Sequence, residues 1–191
     1  LHLACIGGRA PVVNALLERR AHKGLDRETA EQLASSSVIC GAWLVAEGHA
    51  EGGVAGSLTT TSDVLRAGIL LIGPDASVKT VSSFFLMVWP EENRVFSYAD
   101  CGVVPDPTSE QLADIAWATA RNHHMLTGVE PRVAFLSYST KGSATHPGVD
   151  KVRTATEIFR EKWPEVIADG ELQGDAAIVP SVAHRKAPHS P

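Results

Sequence analysis

The sequence has few cysteines, no long apolar run and no surplus of positive charge, and each shortage excludes a class of protein. Cys5, Cys40 and Cys101 are an odd number scattered over 191 residues. No CxxC pair is present, so neither a disulfide framework nor a zinc site nor a redox dithiol is encoded, and the pattern fits a reducing cytoplasm. No stretch approaches the roughly 20 apolar residues of a membrane-spanning helix, and no charged start leads into a signal-peptide core. A formal net charge of −5 gives no general attraction for nucleic acid or anionic lipid, so neither is an expected partner. Any phosphate-bearing ligand has to be held by local groups. The Walker A order GxxxxGK[ST] is absent, as are internal repeats and low-complexity tracts.

What is present is ample core material, with 44% hydrophobic residues. Val12, Val13, Leu16 and Leu17 recur at helical spacing before Gly24, Asp26 can cap a second helix through Leu33, and Val38 to Val45 reads as a third that stops at Gly48. Gly52 to Gly56 reads as a short strand. Thr60, Thr61 and Ser62 precede Leu65, Ile69, Leu70 and Ile72, the pattern of an N-capped buried helix. Val78 to Trp89 is β-rich, Pro90-Glu91-Glu92-Asn93 can turn the chain, and Val95 to Ala99 can return it as a hairpin. Thr108 and Gln111 form a capping box for a helix that Gly128 closes. Arg132 to Tyr138 is a buried strand, and Pro147 opens a helix with Val149, Val152, Ala155, Ile158 and Phe159 on one face. The alternation predicts an α/β fold with a largely parallel sheet. The Pro105-Asp106-Pro107 break is where a change of lobe is expected, dividing residues 1–105 from 106–191.

Three segments can carry anion chemistry. In Leu136-Ser137-Tyr138-Ser139-Thr140-Lys141-Gly142-Ser143 a strand runs into hydroxyls, a lysine and a glycine before a helix, so free N–H groups and Lys141 can meet an anion. An ordinary strand-to-helix turn with an exposed lysine is the other reading. In Thr59-Thr60-Thr61-Ser62-Asp63-Val64-Leu65-Arg66, hydroxyls at a helix start lie within one turn of a guanidinium, which suits phosphate. Equally, Ser62 can be a cap and Arg66 an i,i+3 partner of Asp63. Arg19, Arg20, His22 and Lys23 can hold a nucleotide phosphate or complement a helix dipole. The adjacent His123 and His124 diverge around a helix, whereas a metal wants i,i+4 spacing, so no metal ligand is assigned. Cys101 stands where a nucleophile can sit, but no base can be named for it. Asp169, Glu171 and Asp175 are carboxylates available for acid/base work or for loop and cap bonding.

Several of these segments together resemble one family. Residues 136–144, then Asp169-Gly170-Glu171-Leu172-Gln173-Gly174-Asp175-Ala176-Ala177, then Lys186-Ala187-Pro188 are similar in order and spacing to the core signature of phosphate acetyltransferases, the phosphate acetyl/butyryl transferase family. Upstream, His22-Lys23-Gly24, Gly56 with Asp63-Val64-Leu65-Arg66, Val78-Lys79-Thr80-Val81-Ser82 and Ala99-Asp100-Cys101-Gly102-Val103 with Pro105 resemble it too, so the likeness covers nearly the whole chain.

The resemblance implies two α/β lobes of the isocitrate/isopropylmalate dehydrogenase-like kind, with largely parallel sheets and flanking helices. It places the active site between the lobes of a cytoplasmic homodimer engaged in acetate metabolism. The implied reaction exchanges an acetyl group between phosphate and coenzyme A. Coenzyme A and acetyl phosphate are then substrates, and neither metal nor cofactor is required. By the same resemblance Arg20 and Arg66 match arginines used around these substrates. Thr60, Thr61, Ser62 and Asp63, with Ser139, Thr140, Lys141, Gly142 and Ser143, would line the same cleft.

A carboxylate would take the thiol proton, the thiolate would attack the acetyl carbonyl, and phosphate would leave under arginine and hydroxyl donors. By the resemblance the family's catalytic aspartate and its Ser-Arg pair are expected beyond Pro191; the chain, from Leu1 without Met to Pro191, is read as partial, and these residues alone are expected to be inactive. The catalytic residue is therefore not assigned. Thr59 stands where many members have histidine, Ala67 replaces a common proline, and His189 replaces a glycine. The other expectation is a non-catalytic acyl-CoA-sensing module, similar to the domain attached to some malic enzymes.

Overall fold

The computed structural model describes residues 8–191. Cys5 lies outside them. Two compact units divide at Asp75 and Ala76, and Pro105-Asp106-Pro107 lies within the second.

Among the described residues the first unit is built from helices alone. α1 (Ala10–Arg20) takes Pro11 in its first turn, where a missing N–H forfeits no bond. A 3-10 turn follows, and Gly24 ends it at φ 86°, a left-handed conformation that glycine adopts without penalty. α2 (Arg27–Leu33) is capped by Asp26, whose carboxylate accepts the Thr29 N–H at 2.7 Å. α3 (Ser37–Ala46) buries Ile39, Cys40 and Trp43. α4 (Thr61–Leu71) buries Ala67 and Leu71. These residues meet Val12, Val13 and Leu16 of α1 in one core, so the helices are held by a shared apolar face more than by propensity.

The strand expected at Gly52–Gly56 does not form. That stretch is exposed irregular chain, with Val54 fully solvated. Gly52, Gly53 and Gly56 leave little side chain to pack, and among the described residues no neighbouring strand pairs with this backbone.

The second unit is mixed α/β. β1 (Phe84–Trp89) and β2 (Arg94–Ala99) form an antiparallel hairpin in register from Phe84↔Ala99 to Trp89↔Arg94. Its turn is a 3-10 segment, Pro90–Glu92, closed by Asn93 at φ 49°. Of the apolar stretch from Val78, only these six β1 residues are strand, because the partner ends at Ala99. Ser83 instead bonds the Asp100 carboxylate through its N–H and hydroxyl.

α5 (Ser109–Thr127) carries the complete capping box of Thr108 and Gln111 and ends at Gly128, φ 71°. β3 (Arg132–Leu136) pairs in parallel with β4 (Ile167–Leu172). The connecting α6 (Pro147–Lys162) covers the pair, as a parallel crossover requires. The short helices α7 (Gly174–Ile178) and α8 (Pro180–Lys186) follow.

The core of this unit joins Ala113, Phe135, Val152, Ala155, Phe159 and Ala168. Trp117 stacks on Trp163 at 5.1 Å and 5°. Among the described residues no helix is long and apolar enough to cross a membrane. A cavity of about 320 Å³ lies among β2, α5, β3 and α7; His123 lines it, but none of the residues expected to bind substrate does.

Candidate functional site

The loop after β3 is where the second unit concentrates its polar chemistry. Ser139 and Thr140 are buried, at 0% and 6% exposure, whereas Lys141, Gly142 and Ser143 are exposed. Two consecutive left-handed residues, Lys141 at φ 49° and Gly142 at φ 86°, bend the chain back on itself. Glycine tolerates this freely, but lysine does so only when other bonds hold it.

Those bonds come from β4. The Lys141 N–H donates to the Glu171 carbonyl at 3.2 Å, and the Gly142 N–H donates to the Glu171 carboxylate at 2.8 Å. The Ser139 hydroxyl donates to the same carboxylate oxygen at 2.9 Å and accepts the Ala144 N–H at 3.1 Å. Thr140 uses its hydroxyl on Gln173, and its N–H donates to the Ser143 hydroxyl at 3.0 Å. The Ser139 and Ser143 N–H groups are bonded to Ser137 and Thr140. The loop's amides, expected to be free for a ligand anion, are thus engaged inside the protein, the Gly142 N–H with the chain's own Glu171 carboxylate.

Glu171 is only 2% exposed. Arg153 of α6 grips it with Nε at 2.9 Å and Nη2 at 3.1 Å. Burial alone would push this carboxyl up. The Arg153 guanidinium, the Gly142 N–H, its own backbone N–H and the Ser139 hydroxyl outweigh that and bring the pKa down to about 2.

Two residues earlier on β4, Asp169 accepts from Lys141 Nζ at 2.5 Å, Arg160 Nη2 at 2.6 Å and Ser190 Oγ at 2.6 Å. Here too burial pushes upward, and the bonds from Lys141, Ser190 and the Gly170 N–H more than offset it, so the pKa is lowered. Lys186 bonds Gln173 at 3.0 Å and Asp175 at 2.9 Å. The three segments that resemble the family core, far apart in sequence, therefore meet around β4.

Gly170 is the hinge of this arrangement. A Cβ there would lie 2.5 Å from Thr156 Oγ1 and 2.7 Å from Phe135 Cβ, so only glycine lets α6 and β3 close on β4 between the two carboxylates.

Arg153 and Arg160 went unnoticed in the sequence. A signal was available: they are seven residues apart, on one helical stripe, each just after a buried residue, Val152 and Phe159.

In the first unit, Thr60 rather than Ser62 caps α4. Its hydroxyl accepts the Asp63 N–H at 3.2 Å and donates to the Asp63 carboxylate at 2.8 Å. Thr61, Ser62 and Arg66 are exposed, and among the described residues the Arg66 guanidinium has no bonded partner.

Arg20 lies at the other end of α4. It donates through Nε to the Leu70 carbonyl at 3.2 Å and through Nη2 to Ile69. Arg19 caps the same end through Leu71 at 2.5 Å and pairs with Glu47. From Thr61 to Ile69 the helix rises roughly 12 Å, so Arg20 and the hydroxyls cannot grip one phosphate group together.

Outside these clusters, His123 lies 3.0 Å from Ser97 Oγ, and His124 points to Val129 and Glu130. Among the described residues no group of three His, Cys, Asp or Glu is placed to hold a metal. Cys101 is half-buried with its thiol against Ser83 Oγ.

The model of the phosphate acetyl/butaryl transferase family matches residues 8–191. The chain belongs to this family. Its relatives include the phosphate acetyltransferase of Thermoanaerobacterium thermosaccharolyticum, 48% identical over 178 residues that cover 91% of this chain and 54% of the relative. The phosphate acetyltransferase of Escherichia coli is 41% identical over 183 residues, 96% of this chain and 25% of the relative. A phosphotransacetylase from Streptococcus pyogenes superposes with a TM-score of 0.84 at 36% identity, over 96% of this chain and 55% of that one. One from Staphylococcus aureus gives 0.78 at 36% identity, over 95% and 55%. The chain thus spans about half the length of the shorter relatives and a quarter of the E. coli protein.

Proposed function

We propose that these residues supply substrate-binding elements of a phosphate acetyltransferase, which exchanges an acetyl group between phosphate and coenzyme A. The convergence of residues 139–143, Asp169 to Asp175 and Lys186 around β4, in a chain whose family match runs from 8 to 191, carries this reading.

In the reaction the coenzyme A thiolate forms a C–S bond to the acetyl carbon, the carbon–oxygen bond to phosphate breaks, and phosphate leaves with the electron pair. Little covalent work falls on the protein beyond accepting the thiol proton, so positioning and charge stabilisation dominate.

Arg66, with Thr61 and Ser62, is the exposed donor set of α4 and meets a phosphate group of one substrate. Arginine suits this because its planar fork grips two oxygens. Lys141 and Ser143 are exposed residues of the β3 loop and serve the other anionic contact, Lys141 with an ammonium already bonded to Asp169 and the Gly170 carbonyl. Ser139, Thr140 and Gly142 hold that loop, and Arg20 steadies α4. The enzyme works as a cytoplasmic homodimer, with coenzyme A and acetyl phosphate as substrates and without metal or cofactor.

Calorimetric titration of coenzyme A into the full-length gene product tests the reading. Saturable binding is expected, weakened about tenfold by Arg66→Ala, in line with the loss of a charge-assisted hydrogen bond. No saturable binding by the wild type would remove it.

A further inference from the structure

We propose that Glu171 is a positioning residue. Its carboxylate serves as the built-in anion of the Ser139–Ser143 loop and fixes Lys141 and Ser143 for an anionic substrate outside. This rests on the reading that the loop faces substrate.

The geometry is that of an anion site already filled. Three donors of different kinds converge on one carboxylate oxygen: the Ser139 hydroxyl at 2.9 Å, the Gly142 N–H at 2.8 Å and Arg153 Nη2 at 3.1 Å. Arg153 Nε takes the other oxygen at 2.9 Å. Of the two left-handed residues of the turn, Gly142 points its N–H at this carboxylate, while the Lys141 N–H bonds the Glu171 carbonyl. Stability alone is a weak reason for this cluster, because a buried ion pair commonly does no better than a well-packed apolar pair.

What the cluster does achieve is location. It ties the loop to β4 and to α6, so that Lys141, an unfavourable residue for φ 49°, is held where it is. Lys141 Nζ is in turn aimed by Asp169, two residues away on the same strand. Removing the Glu171 carboxylate would free the loop while leaving an empty cradle with a half-buried guanidinium.

Two variants of the full-length gene product test this, Glu171→Ala and Glu171→Gln, with formate as the probe. In Glu171→Ala, formate is expected to refill the cradle. It should raise Tm and slow exchange of the Gly142 amide, with no effect on the wild type. In Glu171→Gln, KM for acetyl phosphate is expected to rise by about 10- to 100-fold, the range for a slightly misplaced substrate contact. Formate should recover KM in Glu171→Ala.

A fall in kcat that follows only the folded fraction, with KM unchanged, would overturn the proposal, as would a folded Glu171→Ala indifferent to formate. Should the alanine variant fail to fold, the KM of Glu171→Gln decides. If the wild type shows no acetyl transfer, the functional reading fails instead. Formate-dependent Tm and Gly142 exchange then still decide whether Glu171 fills an anion cradle.

Discussion

Single side chains settle how the candidate anion segments differ. Around the β3 loop the ionised groups of the loop, α6 and β4 are already matched, Lys141 and Arg160 with Asp169 and Arg153 with Glu171. On α4, Arg66 is exposed and Arg20 is bonded to helix carbonyls. Arg20→Ala is therefore expected to lower Tm, at a cost of about 1 kcal/mol for the lost helix-end bonds, with coenzyme A affinity unchanged. Arg66→Ala should do the reverse, and thermal melts paired with titrations separate the two.

The carboxylates predict a pH dependence. Glu171 and Asp169 are both depressed in the folded state, Glu171 to about 2 from 4.5. Groups depressed in this way contribute stability that is present above their unfolded values and lost as pH falls through the folded ones. For Glu171 the difference amounts to about 3 kcal/mol. Stability should hold from neutral pH to about pH 5 and fall below it, more shallowly in Glu171→Gln. Equal slopes in wild type and variant, measured by denaturant unfolding, would contradict this.

At the scale of elements, the parts set by local chemistry were legible and the parts set by a distant partner were not. Caps and stops stand in the sequence because their partners lie within a turn: Asp26 with Thr29, Thr108 with Gln111, and the left-handed Gly24 and Gly128. The Gly52–Gly56 strand failed because strand formation needs a neighbour that three glycines do not recruit. The extent of β1 was misjudged for a related reason: apolar content runs from Val78, but pairing ends with β2 at Ala99.

The two kinds of dependence predict different mutational costs. Thr108→Ala removes a local cap and should cost about 1 kcal/mol. Gly170→Ala forces a Cβ to within 2.5 Å of Thr156 Oγ1 and 2.7 Å of Phe135 Cβ. It should cost about 1–3 kcal/mol or more, as overpacking does. Denaturant unfolding of both variants checks the order, and a harmless Gly170→Ala would show that α6 can retreat from β4.

For the whole molecule, membership of the family was readable from the order of its short segments, although no single one was specific. The internal design of the site was not readable. The sequence points to the Ser139–Ser143 loop as open to anions, yet whether its amides face a ligand or a carboxylate depends on the register of β4 and the rotation of α6. Glu171 and Arg153 are 18 residues apart, and nothing local couples them. Net charge and run length give no pointer to nucleic acid or membrane, and composition does not identify Arg153 or Arg160 as partners of the two buried carboxylates.

The most direct test of the account is acetyl transfer by the full-length gene product, following acetyl-CoA formation and phosphate release together from acetyl phosphate and coenzyme A. One phosphate released per thioester formed, saturation in both substrates, and turnover that survives exhaustive chelation are expected. Phosphate release without thioester formation, or no turnover from a folded protein that binds coenzyme A, would contradict it.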